Sequence, residues 1–356
     1  MTTANFSPRP VLATGHTYGT HRTLSPSGGL PQPAERLNND FSSLFDGELL
    51  LDVQTLNVDA ASFRQMEEQV GSAEGVPAKV IETVNARGKQ HNPVTGSGGM
   101  LLGRVLQITP GHPSFGTLRP GDRVATLVSL SLTPLRIDSV QAVRAVSAQL
   151  DVQGEAVLFA SGPYAVMPSD FSDRLALALF DVAGAAPQVA RWTHPGQSVL
   201  VLGAGGKSGV LCAAEARRRV GPLGHVYGIE NHTPFADELS ALGICDAVFE
   251  ADATDAVAVR EAVLRATGGS EVDVTFSCVN VEGAELASIL ATRDRGVVYF
   301  FAMSTSFTRA ALGAEGCGKD VDLLIGNGYA HHHADHTLEL VRGRPELAAL
   351  FERRYG

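Results

Sequence analysis

The segment VLVLGAGGKSG at 199–209 restricts what this chain can fold into more than any other stretch of its sequence. Four apolar residues run directly into Gly203, Gly205, Gly206 and Gly209, and an apolar helical pattern continues to Val220. A strand that turns through glycines into a helix aims the unpaired N–H groups of the first helical turn at the turn itself, where a pyrophosphate can sit. In the G-x-G-x-x-G frame Ser208 stands at the third glycine, whereas a G-x-x-G-x-x-G frame is met by Gly203, Gly206 and Gly209. A phosphate-binding P-loop would need glycine at 201, where the chain has Val201, so Lys207 is read as facing a cofactor phosphate or solvent.

The surrounding pattern fits a dinucleotide domain. Strands are expected at 198–202, 225–230, 247–250, 272–278 and 296–301, alternating with helices at 209–220, 234–242, 257–266 and 282–290. Continuous apolar strands separated by helices imply a parallel sheet covered on both faces. Before residue 170 the pattern differs: short alternating runs such as 48–56 and 122–128 lie between Gly and Pro punctuation, which reads as a β-rich domain. Residues 172–192 are apolar at helical spacing. The fold class is therefore α/β, with a β-rich domain at 1–170, a doubly wound Rossmann domain at 171–324 and a C-terminal segment at 325–356 that is expected to return to the first domain. The first residues, to about Ala13, are polar and expected to be poorly ordered.

Composition removes several function classes. With 28 Lys and Arg against 38 Asp and Glu the net charge is −10, and the basic residues are dispersed except for Arg217, Arg218 and Arg219. Nucleic acid is an unsuitable partner for such a surface. No apolar run approaches membrane-spanning length, and MTTANFSPRP lacks a secretory apolar core. Cys212, Cys245, Cys278 and Cys317 form no CxxC pair, which suits reduced thiols in the cytoplasm.

The second strand, HVYGIE, ends on Glu230, where an acidic residue accepts hydrogen bonds from the adenosine ribose and repels a 2′-phosphate. NAD is thus expected over NADP, with Asn231 and His232 beside Glu230 moderating the preference. Asp252 follows the third strand, at the expected adenine pocket. Cys278, Val279 and Asn280 end the fourth, at the expected nicotinamide ribose, with a turn-forming asparagine as the alternative for Asn280.

The β-rich first domain, the glycine motif and the C-terminal segment resemble the medium-chain dehydrogenase/reductase superfamily, which implies a GroES-like catalytic domain ahead of the Rossmann domain. Gly98 and Gly99 stand where its zinc enzymes open a Gly-His-Glu motif, so hydride transfer without zinc is implied. More narrowly, YGTHR at 18–22, LPQPA at 30–34, RGKQHNPVTGSGGM at 87–100, ATLVSLSLTPL at 125–135, GAGGKSG at 203–209 and ALGAEGCGKDV at 311–321 resemble the L-erythro-3,5-diaminohexanoate dehydrogenase family. IGNGY at 325–329 and His333-Ala334 fit as well, while Ala-His-His at 330–332 departs from the family's more usual Thr-Lys-Gly. The resemblance implies NAD-linked oxidative deamination of (3S,5S)-3,5-diaminohexanoate to 5-amino-3-oxohexanoate in lysine degradation, by a homodimer. The alternatives are a zinc-independent quinone or enoyl reductase and a non-catalytic dinucleotide-binding protein.

That reaction needs a cationic anchor for the carboxylate, an anionic anchor for an ammonium and a group that moves protons. Arg87 and Lys89 are candidates for the first, with a solvated basic loop as the alternative, Asn92, Asn57 and Asp59 for further substrate contacts, His91 and Lys89 for proton transfer, with a turn hydrogen bond as the alternative for His91, and Asp181 for proton transfer or ammonium binding. Asp181 lies inside LALALFDVAG, where desolvation would favour its protonated form; helix capping is the alternative for Asp181 and Asp59. HHHADH at 331–336 places His332 and His336 four apart, as two metal ligands on one helical face would be, but a helix start rich in histidine needs no metal, and none is expected. Cys278 and Cys317 lack a neighbouring base and read as small buried thiols.

Overall fold

A computed structural model describes residues 6–93 and 96–356, so residues 1–5 and Val94 and Thr95 of the RGKQHNPVTGSGGM run lie outside the described residues. The chain divides into two compact units, one running to Asp181 and including Tyr355–Gly356, the other Val182–Arg354. The boundary thus falls after Asp181, where 170 was expected. Residues 325–354, expected to return to the first domain, belong to the second unit.

The first unit opens with β1 (Val11–Thr14), β2 (Thr23–Ser25), β3 (Arg36–Leu37) and β4 (Leu44–Asp46). Because β1 pairs in parallel with β4, the expected disorder does not extend to Val11. Then come β5 (Glu48–Asn57), α1 (Ala60–Val70), α2 (Val76–Arg87), β6 (Met100–Ile108), β7 (Arg123–Thr126), β8 (Leu135–Arg144), β9 (Gln149–Phe159), β10 (Tyr164–Val166) and α3 (Asp173–Phe180). Six strands form an antiparallel sheet in the order β10-β7-β6-β5-β9-β8. Central β5 is buried on both faces: Leu49, Leu51 and Val53 pack with Phe63, Met66, Val80 and Val84 of the two helices, while Leu50 packs with Phe41, Leu44 and Val157. The period of two along the strand explains this division.

YGTHR serves this core. Arg22, 1% exposed, donates to Glu48 from Nε at 2.8 Å and Nη2 at 2.7 Å, and from Nη1 to the Asp40 carbonyl at 2.6 Å. His21 Nε2 lies 2.8 Å from the same carboxylate.

The second unit holds α4 (Ala185–Trp192), β11 (Ser198–Leu202), α5 (Lys207–Val220), β12 (His225–Glu230), α6 (Thr233–Ala241), β13 (Ala247–Glu250), α7 (Ala256–Thr267), β14 (Val272–Ser277), α8 (Glu285–Ala291), β15 (Thr292–Phe300), α9 (Phe307–Cys317), β16 (Asp322–Ile325), α10 (His333–Arg342) and α11 (Pro345–Tyr355). Its sheet is parallel in the order β13-β12-β11-β14-β15-β16. Strands β11 and β14 are neighbours across the point where the order reverses, pairing Leu202 with Ser277 at their carboxyl ends, the place where such sheets bind ligands. The apolar run 172–192, read as continuous helix, breaks into α3 and α4 at the unit boundary.

Candidate cofactor and substrate sites

In the second unit the glycine turn is built by close approach. A Cβ on Gly209 would fall 2.0 Å from the Gly203 carbonyl oxygen, and one on Gly205 would fall 2.6 Å from Phe235 Cβ and 2.9 Å from a Glu230 carboxylate oxygen. Only glycine lets strand, turn and helix meet this tightly. Gly206, the N-cap of α5, has no side chain with which to cap the first turn. Glu230, 7% exposed, accepts from Gly205 N–H at 2.9 Å through Oε2, and from Asn231 N–H at 3.0 Å and His232 N–H at 3.2 Å through Oε1. Fixed by three backbone donors, it puts an anion beside the turn. The glycines, the helix start and the placed carboxylate together fit a dinucleotide.

The other predicted cofactor residues sit as follows. Lys207 and Ser208 form the first turn of α5, half-buried. Asn231 is exposed after β12. Asp252 is exposed and accepts from Thr254 N–H and Oγ1, both at 2.8 Å; these bonds hold its carboxyl below the usual aspartate range. Cys278 and Val279 are half-buried and Asn280 exposed after β14. Cys278 Sγ lies 3.6 Å from Cys212 Sγ on α5, a contact with no sequence signal. Hydrogen bonding to Cys278 and burial push the Cys212 thiol well up. Cys317, expected to be buried, is exposed.

In the first unit the structure gathers part of the predicted substrate set. Asn57, 3% exposed at the end of β5, donates from Nδ2 to Asp181 Oδ1 at 3.4 Å and accepts from Gln149 Nε2 at 3.0 Å. Gln149 is a member that sequence reasoning missed, because a glutamine at a strand start carries no signal of its own. Asp59 caps α1, accepting from Ser62 N–H at 2.9 Å, as its alternative reading proposed; its Oδ2 is buried with no hydrogen-bond partner among the described residues. Asn92 donates to Gln65 Oε1 on α1 at 3.0 Å. Gly99 brings the 96–99 turn onto β5, where a Cβ would lie 2.1 Å from the Asn57 carbonyl oxygen.

Three expectations change. Asp181 is half-buried rather than enclosed as the apolar run suggested, and its N–H closes the end of α3 on the Leu177 carbonyl. Lys89 is fully buried, and its Nζ donates to the Pro31 and Gln32 carbonyls at 2.6 and 2.9 Å, tying LPQPA to RGKQHN rather than projecting toward a ligand. Burial, aided by the Arg87 charge, lowers it to about 8. Arg87 Nη1 donates to His91 Nδ1 at 3.1 Å, so two residues expected to act separately are paired. Burial first, then the Lys89 and Arg87 charges, lower His91 and favour its neutral ring.

The histidine cluster disperses its side chains. His332 faces Asp335 at 3.7 Å, His336 Nε2 lies 3.2 Å from buried Glu215, and buried His333 packs edge-on against Tyr329 at 5.1 Å. Among the described residues no three His, Cys, Asp or Glu side chains converge as a metal would require. Among them also, no helix is long and apolar enough to cross a membrane.

Comparison with known proteins adds to this geometry. The profile of the L-erythro-3,5-diaminohexanoate dehydrogenase N-terminal domain matches residues 21–168. L-erythro-3,5-diaminohexanoate dehydrogenase of Acetoanaerobium sticklandii is 50% identical over 342 residues, 96% of this chain and 99% of that protein. The Fusobacterium nucleatum subsp. nucleatum enzyme of the same name is 48% identical over the same shares. Among solved structures, AibC superposes with a TM-score of 0.55 at 17% identity, covering 87% of this chain and 86% of that one. CurK enoyl reductase superposes at 0.53 and 16%, covering 86% and 78%. At such identities these two likenesses speak for the fold alone.

Proposed function

The chain belongs to the L-erythro-3,5-diaminohexanoate dehydrogenase family, and from that membership we propose a working order for its sites. It is an oxidoreductase that acts on an amine donor, L-erythro-3,5-diaminohexanoate, with a nicotinamide dinucleotide. A nicotinamide dinucleotide bound at the glycine turn would supply the acceptor for the hydride of the amine-bearing carbon. Water adds to the resulting substrate iminium, and the carbon–nitrogen bond breaks, so that amine, oxidised dinucleotide and water become ketone, reduced dinucleotide and ammonium. Identity of 50% across 96% of the chain carries this reading and sets aside the quinone and enoyl reductase alternative.

In our reading Gly203, Gly205, Gly206 and Gly209 with Lys207 and Ser208 would hold the pyrophosphate, and Glu230 would accept from the adenosine ribose, which would favour NAD over NADP. Supporting this is the carboxylate's anchorage on three N–H groups, which leaves it unable to swing away from a 2′-phosphate. Asp252, Asn231, Cys278, Val279 and Asn280 border the same cofactor at strand ends. On the first unit, Asp181 and Asp59 receive substrate ammonium groups. Support for Asp59 comes from its buried Oδ2, which has no partner among the described residues, since such an oxygen is costly to leave unpaired. Arg87 takes the carboxylate, and Asn57 and Asn92 orient the chain. His91, favoured neutral, accepts at Nδ1 the proton that the substrate ammonium must lose before hydride leaves, once Arg87 has turned from that nitrogen to the carboxylate. Lys89 positions this loop. The working species is a homodimer.

The test is spectrophotometric. Purified protein should form reduced nicotinamide from 3,5-diaminohexanoate, faster with NAD than with NADP, and consume it when given the 3-oxo acid with ammonium. Absence of turnover in both directions would remove the assignment.

A further inference from the structure

The last helix makes contact with the glycine turn. Arg354 of α11 donates from Nη1 to the Gly205 carbonyl at 2.6 Å, and its guanidinium lies 4.0 Å from the centre of the Phe235 ring. Its Nε donates to Glu238 Oε2 at 2.8 Å and its Nη2 donates to the same oxygen, so α6 sets the plane of the guanidinium. The side chain is 10% exposed.

On the other side of the same residue, Gly205 N–H donates to Glu230. Both peptide groups flanking Gly205 are therefore held by side chains, one anionic from β12 and one cationic from α11. A trans peptide is planar, so a Gly205 carbonyl turned toward Arg354 aims the Gly206 N–H the opposite way. That N–H meets the Gly203 carbonyl at 3.2 Å. Since Gly206 begins α5, the direction of this one peptide decides where the first helical N–H groups face.

We propose that Arg354 is a positioning residue of the dinucleotide site: acting through the Gly205 carbonyl, it holds the glycine turn in the shape that receives the pyrophosphate. The proposal rests on the dinucleotide reading of 203–209 and extends it to a residue 149 positions downstream. Arginine is required. Its planar fork spans a carboxylate and a carbonyl while lying on an aromatic face, whereas a lysine ammonium can satisfy only part of that set.

The test measures binding of ADP-ribose and NADH to the protein by calorimetry, along with the thermal midpoint in the absence of either, for Arg354→Lys, Arg354→Gln and Glu238→Gln. Both Arg354 variants should raise the Kd by about tenfold, the scale of one hydrogen bond from a charged donor, and Glu238→Gln should raise it by less. KM for the dinucleotide should rise in parallel while kcat at saturation stays within about twofold, because the reacting atoms are not touched. A lowered thermal midpoint with unchanged Kd in these variants would mean that Arg354 only ties down the helix, and would overturn the proposal. If Arg354→Gln does not fold, the lysine and Glu238 variants decide. Wild-type protein that fails to bind ADP-ribose would remove the dinucleotide reading, whereas tight wild-type binding matched by every variant would remove the Arg354 role alone.

Discussion

Asn57 Nδ2 donates to Asp181 Oδ1 across 124 positions of sequence, joining the end of β5 to the end of α3. Gln149 Nε2 on Asn57 Oδ1 fixes which way the amide faces, so the donor end is committed to the carboxylate. Asp181→Asn should lower kcat by about 100-fold or more while NADH binding holds, and Asn57→Ala should lower it less. Stopped-flow turnover beside NADH fluorescence titration checks this; near-normal kcat in Asp181→Asn takes that residue out of the mechanism.

Cofactor choice is expected to follow Glu230. Replacing it with Ser removes the charge facing a 2′-phosphate and should raise the NADP/NAD ratio of kcat/KM by about tenfold, roughly the value of one charged hydrogen bond. The same change frees three backbone donors, so a stability loss of about 1–3 kcal/mol should accompany it. An unaltered ratio would show that Glu230 shapes the turn without reading the ribose.

For Gly205→Ala, the added methyl would meet Phe235 Cβ at 2.6 Å and Glu230 at 2.9 Å. Overpacking of this kind costs about 1–3 kcal/mol, and here the strain falls on the turn that receives pyrophosphate. ADP-ribose affinity should drop by about tenfold or more with the far-ultraviolet circular dichroism unchanged; full affinity would show that the turn relaxes freely.

Lys89→Met separates the two roles considered for this residue. The structure leads us to expect a loss of about 1–3 kcal/mol, since two carbonyls lose their donor, with modest change in kcat. Urea denaturation and steady-state kinetics together decide, and a collapse of kcat at unchanged stability would return Lys89 to catalysis.

Glu48 gives a pH signature. Burial pushes its carboxyl up, but the hydrogen bonds from Arg22 and His21 outweigh burial and hold it below 4.5. A carboxyl with a lowered folded value stabilises fully above the unfolded value, and the contribution fades as pH falls through the folded one. Glu48→Gln should therefore cost about 3–5 kcal/mol at neutral pH, leaving Arg22 buried without its partner, and the gap to wild type should narrow below pH 4.5. A gap independent of pH would show that the carboxylate's charge is not what matters.

The Rossmann unit was largely legible because its strands are short apolar runs with glycine punctuation: 198–202, 225–230 and 247–250 match β11, β12 and β13. Helix α1 was not, since among its described side chains AASFRQMEEQV offers the core only Phe63 and Met66, too sparse a stripe to register as helical period, whereas α2, with Val76, Val80 and Val84 at helical spacing, carried a period that went unread. The glycine turn and Glu230 followed from spacing. Lys89 misled because a lysine in a basic loop looks solvated until the chain 57 and 58 positions earlier is found supplying its two carbonyls. Gln149 and Arg354 were invisible for the same reason: each acquires meaning only from a distant partner.

The reach of Arg354 to Gly205 also bears on how the protein is made. Domains tend to fold as they leave the ribosome, yet 149 residues must follow Gly205 before its carbonyl can meet the guanidinium. At roughly 5–20 residues per second, that interval is about 7–30 s. The other five strands of the sheet are made in that interval, and β16 ends at Ile325, so a complete sheet holds its glycine turn without Arg354 only over the final 29 residues.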